Sequence, residues 1–264
     1  MLQRHRMKSL TLVCLLAAAF SVGGLAHART TLTVHAGAGI RPPLDELGAL
    51  FEKRTGVKIE YNYKGSGCLL ADICFSKRGD VYIPGETFYV RQAEERGFIE
   101  TSRVVAQMST VVIVQKGNPK RIMGLKDLTR EGLRIGLGDP KAVAVGRAAN
   151  ETLVKAGILK QVEPNVVMTA LNVVELGIGV KLRHLDAAIV WDATAHLFRD
   201  SVETLTLPDE WRVEAPIPVA VLKFTTNAGE STRFMEFLAG DEAAKIFLKH
   251  GYGVPKPAPK SDEA

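Results

Sequence analysis

Cysteine is scarce, with three in 264 residues, at positions 14, 68 and 74. That count excludes a small scaffold held together by disulfides. Cys14 falls in the amino-terminal leader, so only Cys68 and Cys74 concern the folded chain. In an oxidising compartment a pair suggests a bridge. Six residues along one helix rise about 9 Å, which is beyond disulfide reach. Either the helix begins after Cys68 and the bridge forms, or both thiols are free. Beyond the leader there is no apolar run long enough to cross a bilayer. Catalytic signatures are also missing. The chain has no Gly-x-Ser-x-Gly elbow and no His-Glu-x-x-His pair, which argues against a secreted hydrolase. His35, His184, His196 and His250 lack metal-ligand spacing. Glu60, Asp80 and Asp186 form no paired-acid pattern.

Positive charge is in shorter supply than it first looks. The chain has 34 Lys and Arg against 29 Asp and Glu. Three of the basic residues, Arg4, Arg6 and Lys8, precede an apolar run from Leu10 to about Leu25 that ends in Ala26-His27-Ala28. A charged start, an apolar run and a small-x-small end read as a cleavable secretory leader over residues 1–28. Without it the balance is 31 to 29, and no basic patch remains to argue for nucleic acid.

What the chain does have is a series of strand, glycine loop and helix junctions. Alternation over Val57, Ile59, Tyr61 and Tyr63 predicts a half-buried strand. Leu69, Leu70, Ile73 and Phe75 predict the helix that follows. Between them lies Gly65-Ser66-Gly67. The first N–H groups of a helix have no partner inside it, and its positive dipole end faces outward. A glycine-flanked serine there can offer a hydroxyl and several amides to one anion, or it can simply cap a helix.

Similar junctions recur. Strand Thr31–Val34 runs into Ala36-Gly37-Ala38-Gly39, and Pro42-Pro43 suits the first turn of the next helix. Strand Leu133–Leu137 leads to Gly138-Asp139-Pro140 and a helix beginning near Val143 to Gly146. Strand Val166–Thr169 precedes Asn172, a plausible cap for the next helix. Strand Asp186–Trp191 precedes Asp192, another candidate cap. Val104 to Gln115 reads as a long crossing strand, and Pro208 to Pro218 as the return crossing before strand Val219–Lys223. Alternating strands and helices predict an open α/β architecture.

The ordered set Ala-Gly-Ala-Gly (36–39), Gly-Ser-Gly (65–67), Gly-Asp-Pro…Val-Gly (138–146), Asn-Val (172–173) and Ile-Val-Trp-Asp-Ala (189–193) resembles the molybdate/tungstate-binding proteins of ABC transporters. The resemblance covers about residues 31 to 250. It implies a type II periplasmic-binding-protein fold: two α/β lobes, each a mixed sheet flanked by helices, joined by two crossing hinge strands. Lobe one would be residues 29–112 and 207–264, and lobe two 113–206. It further implies a periplasmic monomer that captures a tetrahedral oxyanion between the lobes and delivers it to a transporter permease. No enzyme activity and no cofactor are implied, and no metal beyond molybdenum or tungsten within the oxyanion.

By the same resemblance, Gly39 falls where a binding serine is usual, and Ser66 matches a second binding serine. Val145 and Val173 fall on positions that bind through backbone N–H. Trp191 stands where a tyrosine hydroxyl is usual. Gly67 and Cys68 flank the helix start, and Arg41 could add a charge. The thiols leave a second reading open, in which a sensory binding protein takes a thiophilic oxyanion and signals to a membrane kinase.

Overall fold

The structure is a computed structural model and describes residues 30–255. The expected leader, with Cys14, and residues 256–264 lie outside the described residues. The chain begins with β1 (Thr31–Gly37), a 3-10 turn (Ala38–Ile40), α1 (Arg41–Thr55), β2 (Lys58–Lys64), α2 (Ser66–Ser76), β3 (Val81–Ile83), α3 (Thr87–Glu94) and β4 (Ile99–Gln115). It continues through β5 (Ile135–Gly138), α4 (Ala144–Lys155), α5 (Leu159–Val162), β6 (Val166–Ala170), α6 (Val173–Lys181), β7 (Ala187–Trp191), α7 (Asp192–Leu197) and β8 (Val202–Leu205). β9 (Glu214–Leu222), α8 (Ala228–Leu238) and α9 (Asp241–Lys249) close the fold.

The strands run in the order β2-β1-β3-β9-β4-β7-β5-β6, with β8 also on β4. β1 pairs in parallel with β2 and β3, and β5 in parallel with β6 and β7. β9 is antiparallel to both its neighbours. β4 serves two sheets. From Ile99 to Ser109 it pairs with β9, and from Thr110 to Gln115 with β7 and β8. Two α/β lobes therefore share one strand of 17 residues, about 55 Å long at 3.3 Å per residue. The returning chain crosses beside it, where the Thr110 amide donates to the Val213 carbonyl and the Val213 amide to Thr110 Oγ1, both at 3.0 Å.

Parallel strands covered by helices should be apolar throughout. β3 and β7 are buried at every position. Each helix buries one stripe. α1 turns Pro43, Leu44, Leu47 and Phe51 inward, at about 1.5–3 kcal/mol for each large apolar side chain. Gly56 ends α1 in the left-handed region at φ 77°, a conformation open to glycine without a Cβ clash.

Three expectations need correction. Phe75 was expected on the apolar face of α2 but is 95% exposed. α2 packs through Ser66, Leu69, Leu70 and Ile73, and a residue two beyond Ile73 projects from the far side of a helix. The return crossing is shorter than expected, because β9 begins at Glu214 and includes Pro216 and Pro218. β3 reaches only Ala220 and Val221, so those two prolines lie where β9 has a ladder partner on one side alone, as a missing N–H allows. β4 also begins earlier than Val104. Cys68 and Cys74 both lie within α2 and both are free thiols.

Candidate functional site

Six strand-to-helix junctions meet at one cleft between the lobes. It is lined from the first lobe by Gly37 to Ile40, Lys64 to Ser66, Gly85 and Met108. The second lobe adds Val143 to Val145, Asn172, Val173 and Trp191. The cavity is about 30 Å³. That is enough for about two waters, or for a compact ion of similar bulk.

Each junction delivers its donors through its own local chemistry. α2 starts directly at Ser66, with Gly65 as its cap and no side chain closing the end. Ser66 is 3% exposed. Its Oγ accepts the Gly85 amide at 3.0 Å, and its carbonyl accepts the Tyr82 hydroxyl at 2.8 Å. These bonds fix the serine from two sides and leave its hydroxyl proton free to donate. α4 is capped by Val143, which offers no side-chain acceptor. At α6, Asn172 Oδ1 accepts the amides of Val174 and Glu175 at 3.0 and 3.2 Å. That satisfies the second and third positions and leaves the first, Val173. The amides of Ser66, Ala144, Val145 and Val173 find no acceptor among the described residues. Gly39 sits mid-way through its 3-10 turn, where an N–H has no partner inside the turn.

Trp191 ends β7, is 2% exposed and lines the same cleft. No side chain or carbonyl among the described residues takes its indole N–H. Among the described residues the only charged side chain on the cleft wall is Lys64, and its Nζ is held by Asp72 Oδ2 at 2.6 Å. No carboxylate among the described residues lines the cavity. Asp192 is not the cap the sequence suggests: it is the first residue of α7, Trp191 holds the cap position, and the Asp192 carboxylate accepts the neighbouring Ala193 amide, at 2.8 Å. Burial pushes its carboxyl up, against the backbone bonds from Ser109 and Ala193. The wall is thus rich in N–H groups and free of fixed negative charge, a combination that favours an anion.

The lobes are closed on each other, and glycines make the contact. A Cβ on Gly65 would stand 2.6 Å from the Ala142 carbonyl oxygen. One on Gly67 would run into the Lys141 carbonyl, and the Gly67 amide donates to Ala142 O at 2.9 Å. One on Gly39 would stand 2.7 Å from Val173 Cγ1. An ion pair spans the same gap, with Arg147 Nε 2.9 Å from Glu86 Oε1. The Arg147 guanidinium lies 3.6 Å above the centre of the Phe88 ring. Burial pushes the Glu86 carboxyl up, opposed by the Arg147 charge.

Of the eight residues singled out in the sequence, Gly39, Ser66, Val145, Val173 and Trp191 line the one cavity. Arg41, Gly67 and Cys68 do not. Arg41 is exposed, with its guanidinium 4.4 Å from the centre of the Tyr63 ring. Gly67 spends its amide on Ala142. Cys68 lies on the third residue of α2, outside the cavity wall. Gly85, Met108 and Ala144 were missed. Ala144 was legible as the neighbour of Val145 at a helix start. Gly85 and Met108 reach the cleft only through the tertiary fold.

The family model described as bacterial extracellular solute-binding protein matches residues 32–253. This chain belongs to that family. Among its relatives, a putative binding protein of Haemophilus influenzae is 28% identical over 221 residues, covering 84% of this chain and 90% of that one. The molybdate-binding protein ModA of Escherichia coli is 26% identical over 251 residues, covering 90% and 95%. In fold, this solute-binding protein is similar to the periplasmic molybdate-binding protein of Azotobacter vinelandii, with TM-score 0.75, 19% identity, and 85% and 100% of the two chains covered. It is equally similar to the sulfate-binding protein SubI of Mycobacterium tuberculosis, with TM-score 0.77, 18% identity, and 86% and 88% covered. Among the described residues no helix is long and apolar enough to cross a membrane.

Proposed function

We propose that this solute-binding protein captures a tetrahedral oxyanion, molybdate or tungstate, in the cleft and hands it to the permease of an ABC transporter. The observation that carries the reading is the convergence of helix-start amides from both lobes, with the Ser66 hydroxyl, on one cavity without a carboxylate. A buried dianion is costly unless its oxygens are hydrogen-bonded. Here Gly39, Ser66, Val145 and Val173 supply backbone donors, and Ser66 and Trp191 supply side-chain donors. The chain acts as a carrier without turnover, in the periplasm, as a monomer. Within the described residues, 30–112 with 207–255 make one lobe and 113–206 the other, and the change of partner along β4 supports a crossing in that region. Relatives named for molybdate support the choice of ligand, while a similar fold in a sulfate-binding protein keeps ion size as the discriminating variable.

The test is a thermal-shift and calorimetry panel of molybdate, tungstate, sulfate, chromate and arsenite. Molybdate and tungstate should raise the melting temperature in proportion to the logarithm of concentration over Kd. Sulfate should bind more weakly. No heat with either large oxyanion would overturn the reading.

A further inference from the structure

A second cavity opens on the flank of the lobe interface, away from the oxyanion cleft. This groove is about 410 Å³, within the range of small-molecule sites. Its floor is apolar, formed by Leu70, Ala71 and Cys74 of α2 and by Phe88 and Tyr89 of α3. Its rim carries three cations, Arg96 from the first lobe with Lys141 and Arg147 from the second, and no Asp or Glu among the described residues lines it. Arg147 is shared with Glu86, but neither Arg96 nor Lys141 has an ion-pair partner among the described residues.

Tyr89 adds an unsatisfied group beneath the floor of the groove. It is 3% exposed and lines the groove, yet its hydroxyl has no hydrogen-bond partner among the described residues. A buried hydroxyl left unpaired costs about 1–3 kcal/mol, and such groups call for an explanation.

We propose that this groove is a second binding site, for a small organic anion with an apolar body, such as an aromatic carboxylate or sulfonate. The body would lie on Leu70, Cys74 and Phe88. The acidic group would meet Lys141 and Arg96. An inorganic oxyanion would leave the apolar floor uncovered, so the two sites select different chemistry.

The probe is 8-anilinonaphthalene-1-sulfonate, titrated by fluorescence with no molybdate present, so the outcome does not depend on the oxyanion reading. The wild-type protein should show one saturable site. The double variant Arg96→Glu, Lys141→Glu reverses two exposed rim charges and should weaken the probe at least tenfold. In labelling with N-ethylmaleimide followed by fragment mass spectrometry, bound probe should slow modification at Cys74. Unchanged probe affinity in the charge-reversed protein, or no protection of Cys74, would overturn the proposal.

Discussion

Ser66 is the residue on which binding turns most sharply. Its hydroxyl accepts from Gly85 and has its proton left to give. Ser66→Ala should remove one bond to a charged ligand, about 1.5–3 kcal/mol, and raise the molybdate Kd about 10- to 100-fold by calorimetry. Asp186 shows the opposite kind of residue, one that serves the fold alone. It is 2% exposed and accepts the Arg134 amide at 2.9 Å, the Arg134 guanidinium at 2.8 Å and Gln115 Nε2 at 3.2 Å. Burial pushes its carboxyl up, but the Arg134 bonds outweigh that and hold it below the usual range. A depressed carboxyl stabilises the fold above its unfolded pKa of about 4 and loses that contribution as pH falls through the folded value. Urea midpoints from pH 6 to pH 3 should therefore fall less steeply in Asp186→Asn than in the wild type. The role of Ser66 was readable from its glycine-flanked position at a strand end. That of Asp186 was not, because its partners are 52 and 71 residues away in sequence.

Among the elements, the short turn before α1 and the start of α6 are fitted to each other. Val173 Cγ1 occupies the space that a side chain at position 39 would need. Gly39→Ser should therefore weaken binding, since closure would force the Val173 side chain aside. Adding Val173→Ala should recover affinity and leave the serine hydroxyl as an extra donor. Calorimetry on the two single variants and the double variant reads this as a coupling energy. If Gly39→Ser alone binds more tightly than wild type, the steric account fails. Strand and helix order was largely legible here, because period-two and helical patterns alternate with glycine stops. Boundaries in β9 were not, because Pro216 and Pro218 read as a break until the reach of β3 is known. The fit of Gly39 to Val173 is likewise invisible in sequence, since both positions look like ordinary small or apolar residues.

At the scale of the whole molecule, affinity depends on how stable the closed arrangement is by itself. Arg147, Glu86 and Phe88 hold the lobes together without lining the cleft. Partly exposed ion pairs and cation–aromatic contacts each contribute up to about 1 kcal/mol. Arg147→Ala should raise the oxyanion Kd about three- to tenfold, mainly through faster release in stopped-flow measurements. An unchanged release rate would show that the contact forms only after closure is secured by other means. No sequence pattern marked this pair, whose members stand 61 residues apart.

β4 carries a mechanical implication. One unbroken strand runs through both sheets and changes partners between Ser109 and Thr110. No register shift falls at that change of partner; the two that β4 has lie earlier, at Ile99/Thr101 and Val104/Ala106. Opening must be taken up as a small torsion spread over many backbone bonds, so the strand behaves as a torsion bar. Stiffness in the body of either half then sets the resting angle of the jaws, and substitutions far from the ligand can tune how tightly it is held.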